Sequence, residues 1–285
     1  MERKLVKQGK NALTITLPSK WIQKFNLSQN DSIQINEEKE NLIISTHSGK
    51  KEKNCEIDIK NLSRGLAFHI ITGKYIQGYD KIIIKHNNFK LSQEIGNGFF
   101  GFMVEKHDET ELIMKDMIKI PQDNFIEIFK RSCQLLIQQA RTLKKLENNK
   151  INFGDVKDEE RLLDSNIFYC LRYINKYEKL ENSYKYFLLT TTLETVGDSI
   201  SEIAKYLDKK ETITKEETKL IENIIMGIEE YVTYLFQNNI EKMYNSLNKF
   251  KQNIEHKTFI DGIAFSIREN LYNYIGFLIE NKNKK

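Results

Sequence analysis

Proline is almost missing from this chain: Pro18 and Pro121 are the only two in 285 residues. Because proline ends or kinks helices, the scarcity leaves room for long uninterrupted ones. Cysteine is nearly as rare. Cys55, Cys133 and Cys170 are odd in number, far apart and without a CxxC pair. They argue against a disulfide framework or a thiolate zinc site and favour a reducing cytoplasm. Long hydrophobic runs are absent too, since the densest cluster, "GFFGFMV" at 98–104, is short and broken by glycine. The opening "MERKLVKQGK" passes into an alternating pattern instead of an apolar h-region, so no signal peptide is expected.

Catalytic signatures are missing as well. The five histidines (47, 69, 86, 107 and 256) show no HxxxH or HExxH spacing, which argues against a histidine metal site. Gly96, Gly98 and Gly101 are followed by neither a Lys-Ser/Thr pair nor a helix start, so they make no phosphate loop. With no nucleophile beside a base, an enzyme is not expected. A net charge of +4, with 29% charged residues, neither demands nor excludes nucleic acid. The distribution of charge has to decide.

What is present falls into three regions, so a multidomain chain is expected. In residues 1–50, "NALTITLPSKW" alternates Leu13, Ile15 and Leu17 with Thr14 and Thr16, the period of a half-buried strand. Ser19 to Leu27 reads as a short helix, Asn30 as a residue at positive φ, and "SIQI" and "NLIIST" as a strand hairpin. Four short strands and one small helix bury too little surface to stand alone, so a homodimer is expected on size alone. Its opening is also basic: among the first twenty-five residues Arg3, Lys4, Lys7, Lys10, Lys20 and Lys24 face only Glu2. Doubled in a dimer, such a surface suits a phosphate backbone; the plain alternative is that these lysines only solubilise a small barrel.

Residues 51–120 read as a small α+β unit. Strands at "CEIDI" and "DKIIIKH" flank a helix from Leu62 to about Gln77 with Gly78 at its C-terminus, and a hairpin turns at His107–Glu109. Residues 121–285 are almost wholly of helical period. Helices are expected from Pro121, capped by Asp123, to Leu146, then over 158–177, 184–207, 214–247 and 257–280. Short polar breaks join them as in a bundle.

Two of these helices space their carboxylates unusually. In "LETVGDSISEIAKYL", Leu193, Val196, Ile200, Ile203 and Leu207 form an apolar stripe, while Glu194, Asp198 and Glu202 follow one another at four-residue steps on the far side. Like charges at that spacing destabilise a helix slightly. In "DEERLLDSNIFYCLRYI", Glu160 and Asp164 are likewise four apart beside a stripe of Leu163, Ile167, Cys170 and Ile174. If the helices are neighbours, the two Glu-x-x-x-Asp pairs converge outside the bundle core, where oxygen ligands suit a hard or borderline cation. The bland alternative is a solvated face.

The first region, with Leu17-Pro18-Ser19-Lys20-Trp21 closing a strand and an Asn30-Asp31 turn behind a helix, resembles the AbrB/SpoVT family of swapped-hairpin barrels. That resemblance implies strands interleaved between two chains and contact with DNA through Arg3, Lys7, Lys10 and Lys20. The run Leu193-Glu194-x-x-Gly197-Asp198-x-x-x-Glu202-Ile203-Ala204 resembles the best-marked helix of the PhoU family of helical bundles, and Arg172 falls where that family tends to have arginine. It implies a metal ion, divalent or trivalent, held by Glu160, Asp164, Glu194 and Asp198. The chain departs from the family in its last helix, at 267–280, which carries no second motif.

The order of parts, a swapped-hairpin barrel, an α+β unit and a PhoU-like all-α bundle, resembles archaeal PhoU-type phosphate uptake regulators. The resemblance implies a cytoplasmic, dimeric, non-enzymatic regulator that binds DNA. The other expectation it leaves open is an adaptor that regulates a phosphate transporter by contacting its ATPase, with the barrel serving only for dimerisation.

Overall fold

The computed structural model describes residues 2–10, 12–38, 40–46, 52–96, 98–117, 125–147, 152–176, 182–255 and 257–278. The chain forms two compact units, Met1–Glu52 and Lys53–Lys285.

The first unit is two separate hairpins and a helix. Strands β1 (Val6–Gln8) and β2 (Ala12–Thr14) pair antiparallel, with Val6 opposite Thr14, and Gly9 at a φ of +74° in the reversal. Helix α1 (Ser19–Lys24) follows Pro18, whose carbonyl accepts from the amides of Trp21 and Ile22. Asn30 is at a φ of 75°, as its place in the turn requires, and Asp31 accepts from Ser28 N at 2.6 Å and Ser28 Oγ at 3.0 Å. Strands β3 (Ile33–Glu38) and β4 (Asn41–Thr46) form the second hairpin. The half-buried strand expected around Leu13 is corrected: no described residue of this unit is buried, and Leu13 is 62% exposed. The alternation is there, but the unit offers nothing for it to face.

The second unit begins with a four-stranded sheet in the order β5-β6-β8-β7, from β5 (Asn54–Asp58), β6 (Lys81–Lys85), β7 (Phe102–His107) and β8 (Glu111–Asp116). β5 and β6 are parallel and joined through α2 (Arg64–Ile76); the other pairings are antiparallel, with a bulge at Val104–Lys106. Ser63 caps α2 by accepting from Leu66 N, and Gly78, at a φ of +80°, releases the chain into β6. Phe89–Gly96, for which no element was expected, forms a further helix, α3.

Six helices follow: α4 (Phe125–Glu147), α5 (Phe153–Lys176), α6 (Ser183–Leu207), α7 (Lys215–Phe236), α8 (Ile240–Gln252) and α9 (Phe259–Asn273), then a 3-10 turn at Ile275–Leu278. The helix expected over 214–247 is two: Asn238, at a φ of 50°, breaks it, and Asn239 caps α8 by accepting from Lys242 N at 3.0 Å. Thr214 with Glu217, and Thr258 with Asp261, form capping boxes on α7 and α9. Pro121 and Asp123, expected to open α4, and Tyr177 and Glu280, expected as helix ends, lie outside the described residues. Among the described residues no helix is long and apolar enough to cross a membrane.

The sheet and the helices share one hydrophobic core that runs from Ile71, Tyr75, Ile82 and Ile84 into Phe125, Leu163, Ile200 and Ile267. Polar bonds tie them as well. Buried Arg172 of α5 donates to the Tyr75 carbonyl at 2.6 Å and to Asp116 of β8 at 2.7 Å, while Lys176 bridges Asp80 and Asp116. The expected boundary at 120/121 therefore separates two kinds of secondary structure inside one compact unit.

Candidate functional site

Helices α5 and α6 pack closely because Gly197 lets them. A Cβ at that position would stand 2.7 Å from Leu163 Cδ2 of α5 and 3.3 Å from Gln139 Oε1 of α4. Gln139, fully buried, turns its amide nitrogen to the Gly197 carbonyl at 3.1 Å and to Ser201 Oγ at 3.0 Å. The apolar stripes predicted for both helices are buried, from Leu193 to Leu207 on α6 and Leu163 to Cys170 on α5.

The carboxylates ride on the edge of this seam, near enough for their charges to act on one another. Asp164 feels the charges of Glu160, Asp198 and Glu194; Asp198 feels Glu160 and Glu202; Glu194 feels Asp198. Glu160 thus faces Asp198, and Asp164 faces both Asp198 and Glu194, so the two helices run in opposite directions. The expectation of carboxylates outside the core holds for α6, where Glu194, Asp198 and Glu202 are not buried, and is corrected at Glu160 of α5. Glu160 is buried, with 6% of its surface exposed; Asp164 and Glu194 are half-buried; only Asp198 and Glu202 are open.

Burial and mutual repulsion set the electrostatics. Burial, followed by the Glu160, Asp198 and Glu194 charges, pushes Asp164 up to about 7. Partial burial at the seam, and then Asp198, raises Glu194, with His69 opposing. Asp198 rises through partial burial and Glu160, with Lys157 opposing. Lys157 pairs with one oxygen of Glu160; the other oxygen, Oε2, is buried with no hydrogen-bond partner. A buried carboxylate oxygen left unpaired is costly, and a cation is the kind of ligand that offsets it.

The donor chemistry, four carboxylates of which Glu160 has one buried oxygen without a hydrogen-bond partner, is of the kind an oxygen-liganded cation needs. As the side chains lie, no three His, Cys, Asp or Glu groups among the described residues stand close enough together to hold an ion. Binding one requires the half-buried and exposed carboxylates to turn inward.

The basic residues expected to contact DNA sit in the first unit and are all exposed: Arg3 before β1, Lys7 on β1, Lys10 in the reversal after it and Lys20 in the first turn of α1. Lys7 and Lys10 share one hairpin. Among the described residues none of the four has an ion-pair partner, which leaves their charge available to phosphates. Two contributors to the second site were not legible as such. Gln139 lies on another helix, and His69 on α2 has no partner at metal-ligand spacing in the sequence. Only the fold brings them beside α6.

No family model, no curated protein and no solved structure matches the chain.

Proposed function

We propose that the chain is a dimeric, DNA-binding regulator in phosphate homeostasis, whose N-terminal unit contacts DNA and whose helical unit binds a cation that reports the cell's state. The observation that carries this reading is the incompleteness of the N-terminal unit. Leu5, Leu13, Ile15, Ile35 and Leu42 are each at least half exposed, and the first twenty-five residues carry six basic side chains against the single acid Glu2. Burying a leucine or isoleucine side chain is worth roughly 1.5–3 kcal/mol, so a second copy that interleaves its hairpins gains much by covering them. The same pairing doubles the set Arg3, Lys7, Lys10 and Lys20 into one basic surface.

The role in phosphate uptake rests on the likeness of α6 to the marked PhoU helix. A cation joining Glu160, Asp164, Glu194 and Asp198 would relieve the repulsion that helps to raise the pKa values of Asp164, Glu194 and Asp198. It shifts DNA affinity only in so far as it binds the DNA-competent state differently.

Fluorescence anisotropy on the gene's own upstream DNA, across a salt series, tests the reading. The expected result is affinity that falls steeply with salt and is lost in an Arg3→Ala/Lys20→Ala variant. Weak binding that the variant leaves unchanged would refute DNA recognition. Co-purification with a phosphate transporter ATPase would then identify the chain as an adaptor.

A further inference from the structure

His86 follows the last residue of β6, and its amide donates to the Thr110 carbonyl at 2.9 Å, which pins it beside the β7–β8 turn. Its imidazole is 1% exposed, and neither Nδ1 nor Nε2 has a hydrogen-bond partner. The neighbouring ring is that of His107, the last residue of β7, at 5.7 Å between centroids. His107 in turn holds α3. The Phe89 ring stacks on it at 4.1 Å, and its Nε2 lies 2.6 Å from Ser92 Oγ. Ser92 gives its one hydroxyl hydrogen to the Phe89 carbonyl at 2.8 Å, so it accepts from Nε2–H. Beyond this clasp, α3 is a helix of eight residues that buries Ser92, Ile95 and Gly96.

The charges around the two rings are already matched. In the β7–β8 turn, Asp108 pairs with Lys106 and accepts from the amides of Thr110 and Glu111. On β8, Glu111 pairs with Lys85 of β6 and Lys106 of β7. On α3, Glu94 pairs with Arg64 beside it on α2, and Lys90 is exposed; on β5, the exposed Asp58 lies opposite Lys85. Among these groups no carboxylate is left over to offset a proton on His86. That proton would place a charge and a second buried N–H where neither nitrogen has a partner, beside another imidazole. We infer that this corner is an acid-labile clasp: protonation of His86 frees α3 from β7 and β8 while the rest of the second unit stays folded. Burial, and then His107, hold His86 below the usual histidine range, with the Asp108 charge and the Glu111 and Asp108 backbones opposing. The closed clasp therefore binds fewer protons than the open one, so its stability is full above 6.5 and is lost as pH falls through the lowered value. A short helix with few buried side chains opens at less cost than the core elements. Its release uncovers Val104 and Leu112, the side chains nearest Gly96.

Amide hydrogen exchange of the full chain, read by mass spectrometry at pH 8 and pH 5 and corrected for intrinsic rates, tests this. The expected result is a loss of protection at pH 5 in peptides covering 89–96. One proton taken up below 6.5 sets its ceiling at about thirtyfold, and at least about fivefold should be seen. Helices α5 and α6 should keep or gain protection, because the Asp164 carboxyl between them is raised and favours the folded state in acid. His86→Leu removes the titrating ring and should leave α3 as protected at pH 5 as at pH 8. His86→Gln, uncharged at both pH values, takes its place if the leucine variant falls short of wild-type protection at pH 8. Full α3 protection in the wild type at pH 5, an equal loss in the His86 variants, or a loss shared evenly by α5 and α6 would overturn the clasp.

Discussion

Replacing Asp164 by asparagine should stabilise the metal-free protein at neutral and alkaline pH. Burial and the neighbouring Glu160, Asp198 and Glu194 charges lift this carboxyl from 3.8 to about 7 in the fold. Below the unfolded value it is protonated in both states and contributes nothing to stability. Between the two values, folding takes up a proton, so stability falls as pH rises, and above about 7 the full penalty is present. Each pKa unit corresponds to about 1.4 kcal/mol, which sets a ceiling of about 4 kcal/mol. Solvent at the open side of the cluster reduces this to about 2 kcal/mol. For a unit of this size that is an increase of about 4–8 °C in unfolding temperature. The assay is thermal unfolding followed by circular dichroism with chelator present, at pH 4 and pH 8. Asp164→Asn should gain at pH 8 and match the wild type closely at pH 4. A cation added at pH 8 should then stabilise the wild type more than the variant. An equal effect at both pH values, or destabilisation at pH 8, would refute the crowded-carboxylate account.

Gly197→Ala should cost about 1–3 kcal/mol, because its Cβ would meet Leu163 and Gln139 and push α6 off its neighbours. Gly73→Ala, in the interior of α2 where a Cβ meets nothing within 4 Å, should instead gain about 0.5–1 kcal/mol; urea unfolding compares the two. Arg172→Met removes one side of a buried pair and should cost about 3–5 kcal/mol, part of it recovered by adding Asp116→Asn. A chemical-denaturation cycle over the four proteins measures that recovery, and additive losses would show that the pair is not coupled. Leu13→Asp/Leu42→Asp places charge on surfaces that a second copy covers, so sedimentation should show monomers where the wild type forms dimers. Dimers in both would remove the N-terminal unit as the interface.

Much of the architecture was legible because it depends on local rules. The stripe Leu193–Leu207 announced α6, Asn30 and Gly78 announced positive φ, and the β-branched run in "DKIIIKH" announced β6. What failed were features set by neighbours. A period of 3.6 continues across Asn238, so only its left-handed conformation shows that α7 and α8 are separate. The amphipathic turn α3 is short, and its start is marked only by Asn88, whose Oδ1 accepts from Leu91 N at 3.0 Å. For the site, spacing found the four carboxylates but placed them on an outer face. A helix with neighbours on more than one side has more than one buried face, so Glu160 ends up buried and Asp164 half-buried. His69 and Gln139 come from α2 and α4, and no pattern within α5 or α6 points to either.

The central claim is that a cation at the α5–α6 seam alters DNA binding by the N-terminal unit. Its most direct test is DNA affinity by anisotropy with chelator and with saturating zinc, for the wild type and a folded Glu194→Ala/Asp198→Ala variant. The account predicts that zinc changes the wild-type dissociation constant at least fivefold and leaves that of the variant unmoved, in line with typical coupling energies. The same affinity for the wild type with and without zinc would contradict it.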